Sequence, residues 1–556
     1  MSFPLAARLR LAALSLALNL PLLAAAQTTP AQTAPAPAPS TPEAAAALQW
    51  YMLDPTTDRV MGVSVNRTYQ ELLAGRTPTP VVVAVIDAGI DTTHADLKRM
   101  LWRNAREVAG NSLDDDKNGY TDDVWGWNYL GGADGRNINL ETLEETRLLA
   151  QLQPRFKGKT RATVPAAQRA DFDLYLKVKK SYDAKVKENT DRLKQYSQVY
   201  ADNVQVSDLL RLKLGVERID TAVLRNPPTT DPKLRELSGQ LYGLLLNTGF
   251  GSLDDILAEM KDGLKQTQDQ LDYGLNLSYN PRPIVGDDPF NIKQRLYGNA
   301  DVTGPDALHG THVAGIIGAD RVNNLGIMGI APPVVRLMAV RAVPDGDERD
   351  KDVANAIRYA ADHGASIINM SFGKYYSPQR AAVEEAIRYA DSKGVLLVHS
   401  AGNENENLDQ KLQFPTPVFL DGKRIPNLIT VGASSRDNDA GLAADFSNFG
   451  KTQVDVFAPG NQIYSTLPGG RYGNLSGTSM AAPVVSGIAA TLKSYFPQLT
   501  AADLKRLILA SAQPTHTQVR QPGSDKLVDF ADLSSTGGIV NLYRAVQLAQ
   551  QATPAK

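Results

Sequence analysis

"VVVAVID" spans residues 81–87, and its composition decides what kind of sheet this chain builds. Five of its first six residues are β-branched, stiff at χ1 and suited to a pleated surface. No polar residue alternates with them, so neither face meets water. That is the pattern of a strand in a parallel sheet covered by helices on both sides. The run ends on a carboxylate, Asp87. Ligands in open α/β sheets bind beyond the carboxyl ends of strands, so Asp87 stands where chemistry is expected. A turn-forming aspartate before Gly89 explains it equally well on this string alone.

Similar apolar runs recur at 334–343, 365–372, 395–401, 428–433 and 454–460. Helical patterns separate several of them, notably "DVANAIRYAADHG" (352–364) and "PQRAAVEEAIRYADSKG" (378–394). Strand and helix in alternation predict an open α/β sheet. A different texture fills the stretch from about 140 to 282. It is charged, and Phe172, Leu176, Tyr182, Val186, Leu193 and Tyr196 recur at roughly helical spacings. After a break at Asn226-Pro227-Pro228, two more helices are expected at 231–247 and 252–272. The reading is a helical insertion whose apolar face must be buried.

The remaining sequence bounds the function. With 556 residues and a net charge of −2, the chain has no electrostatic case for nucleic-acid binding. Cysteine is absent, which excludes disulfides, thiolate metal sites and cysteine nucleophiles. Residues 1–26 carry Arg8 and Arg10, an apolar run and Ala24-Ala25-Ala26, the pattern of a cleaved export signal. Residues 27–47 are rich in Pro, Ala and Thr and read as an extended linker. No later stretch is apolar enough for a stable membrane span.

Three strings carry reactive residue types. "AVIDAGIDTTHADL" (84–97) holds Asp87. "HGTHVAGIIGA" (309–319) sets His309 at the start of a small-residue helix; His312 follows, but no further ligands accompany the pair as a metal site requires. "NLSGTSMAAPVVSG" (474–487) sets Ser479 at the mouth of an apolar helix, either as a cap or as a nucleophile near the positive end of the dipole. Asp, His and Ser in this order, each at a strand end or helix mouth, resemble the subtilisin-like serine proteases. "VIDAGID", "HGTHVAG" and "GTSMAAP" match the family's three motifs, and "NMSFG" (369–373) and "SAGNEN" (400–405) resemble two more.

The resemblance implies an α/β fold, a subtilisin-like three-layer sandwich with a mostly parallel central sheet, here with an inserted all-α subdomain. It implies a serine endopeptidase acting on polypeptides, with Asp87, His309 and Ser479 as the triad and Asn403 in the oxyanion hole. Ser371, Phe372, Gly373, Ala401 and Gly402 would line the pocket for the residue before the cut. His312 reads as structural, and Glu404 as a rim residue tolerant of basic substrates. The expected layout is 48–140 with 283–548 as the peptidase domain, 141–282 as the insertion and 549–556 as a tail. A periplasmic or secreted location follows from the signal. A scaffold that binds through the insertion and a transpeptidase are the alternatives.

Three departures stand out. Asp87 and His309 lie 222 residues apart, far more than the family pattern. Ala88 replaces the usual Ser or Thr. The stretch before the first strand leaves no room for the usual propeptide. Separately, "NSLDDDKNGYTDD" (111–123) matches the first half of a calcium loop. Asp114, Asp116 and Asn118 are the expected ligands, with the Tyr120 carbonyl and Asp122 or Asp123 completing a structural Ca²⁺ site.

Overall fold

The computed structural model describes residues 48–248 and 250–552. The expected signal and linker, and the last four residues of the tail, lie outside the described residues. The chain divides into two compact units, 48–144 with 280–552, and 145–279.

In the larger unit, β1 (Val81–Asp87), β2 (Gly126–Asn128), β3 (Val335–Arg341), β4 (Ile367–Met370), β5 (Leu396–Ser400), β6 (Leu428–Ser434) and β7 (Val456–Pro459) pair in parallel. Two short strands at residues 513–514 and 538–539 complete a nine-stranded sheet at the β7 edge. β1 lies between β3 and β4, where the strand order reverses. Its carboxyl end is therefore the place where connecting loops part and leave a crevice.

Alternation along β1 divides the core. Val83 and Val85 pack into one cluster with Val313 and Ile316 of the helix Leu308–Gly318 and Val484 and Ile488 of the helix Thr478–Tyr495. Ala84 and Ile86 pack into the other with Val353 and Ile357 of the helix Asp350–Asp362 and Ala386 and Ile387 of the helix Arg380–Ser392. Both faces of the strand are covered, giving three layers. The final helix, Leu542–Ala552, buries Ala549, so the expected tail begins as helix.

The smaller unit is all-helical. A helix of 46 residues, Arg169–Leu214, packs with Pro232–Thr248 and Leu253–Asp269 around Leu210, Leu237, Leu241 and Ile256. The long helix buries Phe172, Tyr175, Val178 and Tyr196, whereas Leu176 is 48% exposed. The buried stripe follows spacings of three, and Leu176 falls just beside it.

Candidate active site

The edge where β1, β4 and β5 end gathers the residues singled out by sequence. His309 is the second residue of the helix Leu308–Gly318, and its Nδ1 meets Asp87 Oδ1 at 2.7 Å. A carboxylate only accepts, so Nδ1 carries the proton and Nε2 presents a lone pair. Gly310 makes the approach possible: a Cβ there would lie 2.2 Å from the Gly89 carbonyl oxygen and 3.1 Å from Asp87 Oδ1. Asp87 Oδ1 also accepts the Ala88 N–H at 2.8 Å. Its Oδ2 is buried without a hydrogen-bond partner, and the next residue, Ala88, has no hydroxyl to offer. The buried Arg341 holds the turn from below through the Ala88 carbonyl at 2.6 Å. Burial alone pulls the His309 imidazole down, but the charge and hydrogen bond of Asp87, with a smaller push from Asp306, leave it above its ordinary 6.5.

Ser479 is the second residue of the helix Thr478–Tyr495, whose N-cap is Gly477 with no side-chain cap. The serine is therefore not spent on capping. Its hydroxyl donates to the Ser371 carbonyl at 3.3 Å, and among the described residues no hydrogen bond joins it to His309. In return, Ser371 Oγ donates to the Ser479 carbonyl at 2.9 Å. Pro483 explains why that carbonyl is available: it stands four residues on and has no N–H for the usual helical bond. Asn369 and Ser486 extend the link between β4 and this helix.

Asn403 follows β5. Its Oδ1 accepts both the Thr478 N–H at 2.8 Å and the Thr478 hydroxyl at 2.9 Å, so Nδ2 faces away with its protons uncommitted to that pair. A Cβ on Gly477 would lie 3.4 Å from Asn403 Nδ2 and 3.6 Å from the Ser479 nitrogen. Two N–H donors thus flank one small space, and the second belongs to a helical first turn, where amides lack intrahelical acceptors.

The other predicted residues fall on both sides of this edge. The Phe372 carbonyl meets His399 Nε2 at 2.7 Å, and the Ala401 carbonyl accepts Asn448 Nδ2 at 2.9 Å. The Gly402 N–H donates to Thr478 Oγ1 at 2.9 Å. Glu404 accepts from Tyr375 at 2.9 Å and from Asn448 at 2.7 Å. His312 is buried, meets the Gly473 carbonyl at 3.2 Å and is pushed down to about 3 by burial, so it stays neutral and structural. Sequence reasoning missed Thr478 and Ser371 Oγ as positioning groups. Pro483 was the available signal for the second.

In the acidic loop, Asp114 and Asp116 converge with Glu107, which the sequence reading did not include; one oxygen of each lies within 4.8 Å of the others. Asn118 and Gly119 N–H groups donate to Asp114, and Asn118 Oδ1 accepts the Tyr120 N–H at 2.7 Å. The Asp122 carboxylate instead accepts the N–H groups of Gly110, Asn111 and Ser112. Asp123 is buried against Asn104, Asn118 and Tyr359. Burial pushes the Glu107 carboxyl up, with Asp123 and Asp116 adding to it. Three hard oxygen donors gathered in one place are a set that suits calcium.

A doubly covered parallel sheet thus carries a carboxylate–imidazole pair, a helix-mouth serine and two nearby N–H donors at its carboxyl edge, residue types that serine nucleophile chemistry uses. The model of the Subtilase family matches residues 79–531, and the chain belongs to that family. Among curated proteins it is 43% identical over 187 residues to a thermophilic serine proteinase of Bacillus sp. (strain AK1), covering 34% of this chain and 42% of that protein. It is 36% identical over 245 residues to thermitase of Thermoactinomyces vulgaris, covering 43% of this chain and 75% of that protein. Across the first four such relatives the match spans 42% to 64% of their length. A protease from Pseudoalteromonas arctica aligns over 90% of this chain and 97% of its own, at 17% identity and a TM-score of 0.46.

Proposed function

We propose that this protein is an exported serine endopeptidase that cleaves polypeptides through an acyl-enzyme. The observation that carries the reading is the 2.7 Å contact between His309 Nδ1 and Asp87 Oδ1 across 222 residues of sequence. It fixes the tautomer that leaves Nε2 free to act as a base.

In this reading Ser479 exchanges its long bond to Ser371 for His309 Nε2 when substrate binds. Such bonds often tighten only in the complex. Ser479 Oγ attacks the scissile carbonyl carbon while Nε2 takes its proton, and Asp87 stabilises the imidazolium. The carbonyl oxygen becomes an oxyanion that accepts from Asn403 Nδ2 and the Ser479 N–H. His309 then hands the proton to the departing amine, leaving the acyl group on Ser479. Water, deprotonated by the same nitrogen, attacks the acyl carbon, the bond to Ser479 Oγ breaks, and His309 returns the proton to Oγ as the acid leaves. Residues 371–373 and 401–402 hold the substrate backbone in extended form on either side.

Glu107, Asp114 and Asp116 would hold a calcium ion that neutralises the loop and stiffens it. Export rests on the composition of residues 1–26; among the described residues no helix is long and apolar enough to cross a membrane. The test is peptide hydrolysis by the purified protein and by D87A, H309A and S479A. All three variants should lose activity by several orders of magnitude, and product masses should show hydrolysed rather than transferred fragments. Unimpaired cleavage by S479A would refute the reading.

A further inference from the structure

The two segments assigned to the substrate, just beyond β4 and β5, contain glycines whose missing side chains would point at the same group. A Cβ on Gly373 would lie 3.0 Å from Gln413 Cδ and 3.1 Å from its Nε2. A Cβ on Gly402 would lie 2.5 Å from Gln413 Nε2 and 2.7 Å from its Oε1. The carboxamide of Gln413, flanked by Asn448 Nδ2 at 2.4 Å from the Cβ position at Gly402 and His399 Nε2 at 3.2 Å from that at Gly373, therefore occupies the gap between the two segments. Its position is fixed by the next residue, because Phe414 pairs with Lys374 through N–H to carbonyl bonds of 2.8 and 3.3 Å.

The side chain is 6% exposed, and its Oε1 is buried with no hydrogen-bond partner. A buried amide oxygen left unpaired costs stability that a leucine of similar size would not. A ligand in the gap would complete it, since an enzyme site keeps polar atoms that only the right substrate completes.

We propose that Gln413 forms the floor of the pocket for the residue before the cut, restricting it to short side chains that carry a hydrogen-bonding group, serine foremost. The proposal rests on the reading of Ser479 as nucleophile and of residues 371–373 and 401–402 as pocket walls. Long apolar side chains would need the volume the carboxamide fills. Short hydroxylated ones fit above it and pair with the amide, which turns to offer either its nitrogen or its oxygen.

The experiment compares kcat/KM for peptides differing only in Ser, Ala or Phe at that position, using the wild type, Q413G and Q413L. Fluorophosphonate titration of Ser479 accompanies each. The wild type should favour Ser over Phe by at least about tenfold, the scale on which pocket volume discriminates. Q413G should lower that ratio by about tenfold or more. Q413L should keep the discrimination against Phe and lose the preference for Ser over Ala, with kcat in each variant normalised to its titrated Ser479. If Ser479 labels and peptides are cut, but Phe serves as well as Ser or Q413G leaves the ratio unchanged, the role of Gln413 is overturned while the protease reading stands. If Ser479 does not label in the wild type, both fall.

Discussion

Thr478→Val tests whether the Asn403 amide works because it is held. Thr478 is fully buried and its hydroxyl makes two bonds, donating to Asn403 Oδ1 at 2.9 Å and accepting the Gly402 N–H at 2.9 Å. Valine keeps the shape and removes both. The orphaned Gly402 N–H should cost about 1–3 kcal/mol of stability. Asn403 retains the Thr478 N–H at 2.8 Å but loses its second anchor. One neutral hydrogen bond is worth about 0.5–1.5 kcal/mol, so kcat should fall about three- to tenfold with KM nearly unchanged. N403A should cost far more, about 10²–10³ in kcat, because it removes the donor itself. The assay is a double-mutant cycle on steady-state peptide hydrolysis. In the N403A background T478V should cost less than about twofold, since its effect runs through an amide already gone. An equal loss in both backgrounds, or a rise in KM with kcat intact, would refute the reasoning.

Asp87, outweighing the downward pull of burial, holds the His309 imidazole above 6.5; an NMR titration should place it there in the wild type and below 6.5 in D87N, with the acid limb of kcat/KM following the wild-type value. Because the folded pKa is the raised one, the pair's contribution to stability should be complete below about 6.5 and fade as pH rises through the folded value, visible as a Tm difference from D87N that shrinks with pH. Calcium at a hundred times its Kd should stabilise the protein by about 2.7 kcal/mol, and chelator, D114N or D116N should abolish that gain in thermal scans; an unchanged Tm would remove the loop from the account. Lys374 is 2% exposed between the carboxylates of Glu144 and Asp350, so K374M should destabilise by about 3–5 kcal/mol in denaturant unfolding.

Periodicity made the sheet legible. β1 and β6 lie within a residue of their apolar runs and β3 within two, because a strand covered on both faces has few polar positions to blur it. The Asp87–His309 contact was legible for a different reason: each partner stands in a constrained backbone setting, as with Gly310 beside His309. The groups that hold the other site residues were not. Thr478 reaches Asn403 across 75 residues and Ser371 reaches Ser479 across 108, and a hydroxyl has no spacing rule at such range. Glu107 was missed because it stands outside the alternating string that marks Asp114 and Asp116. Gln413 carries no signal in its neighbours; only the geometry of two distant glycines exposes it.

The most direct test of the central claim is intact-mass and peptide mapping after fluorophosphonate treatment of the wild type, H309A and S479A. The account predicts one adduct in the wild type, mapped to the peptide containing Ser479, slowed by orders of magnitude in H309A and absent in S479A. An adduct on any other residue, or labelling that persists in S479A, would contradict it.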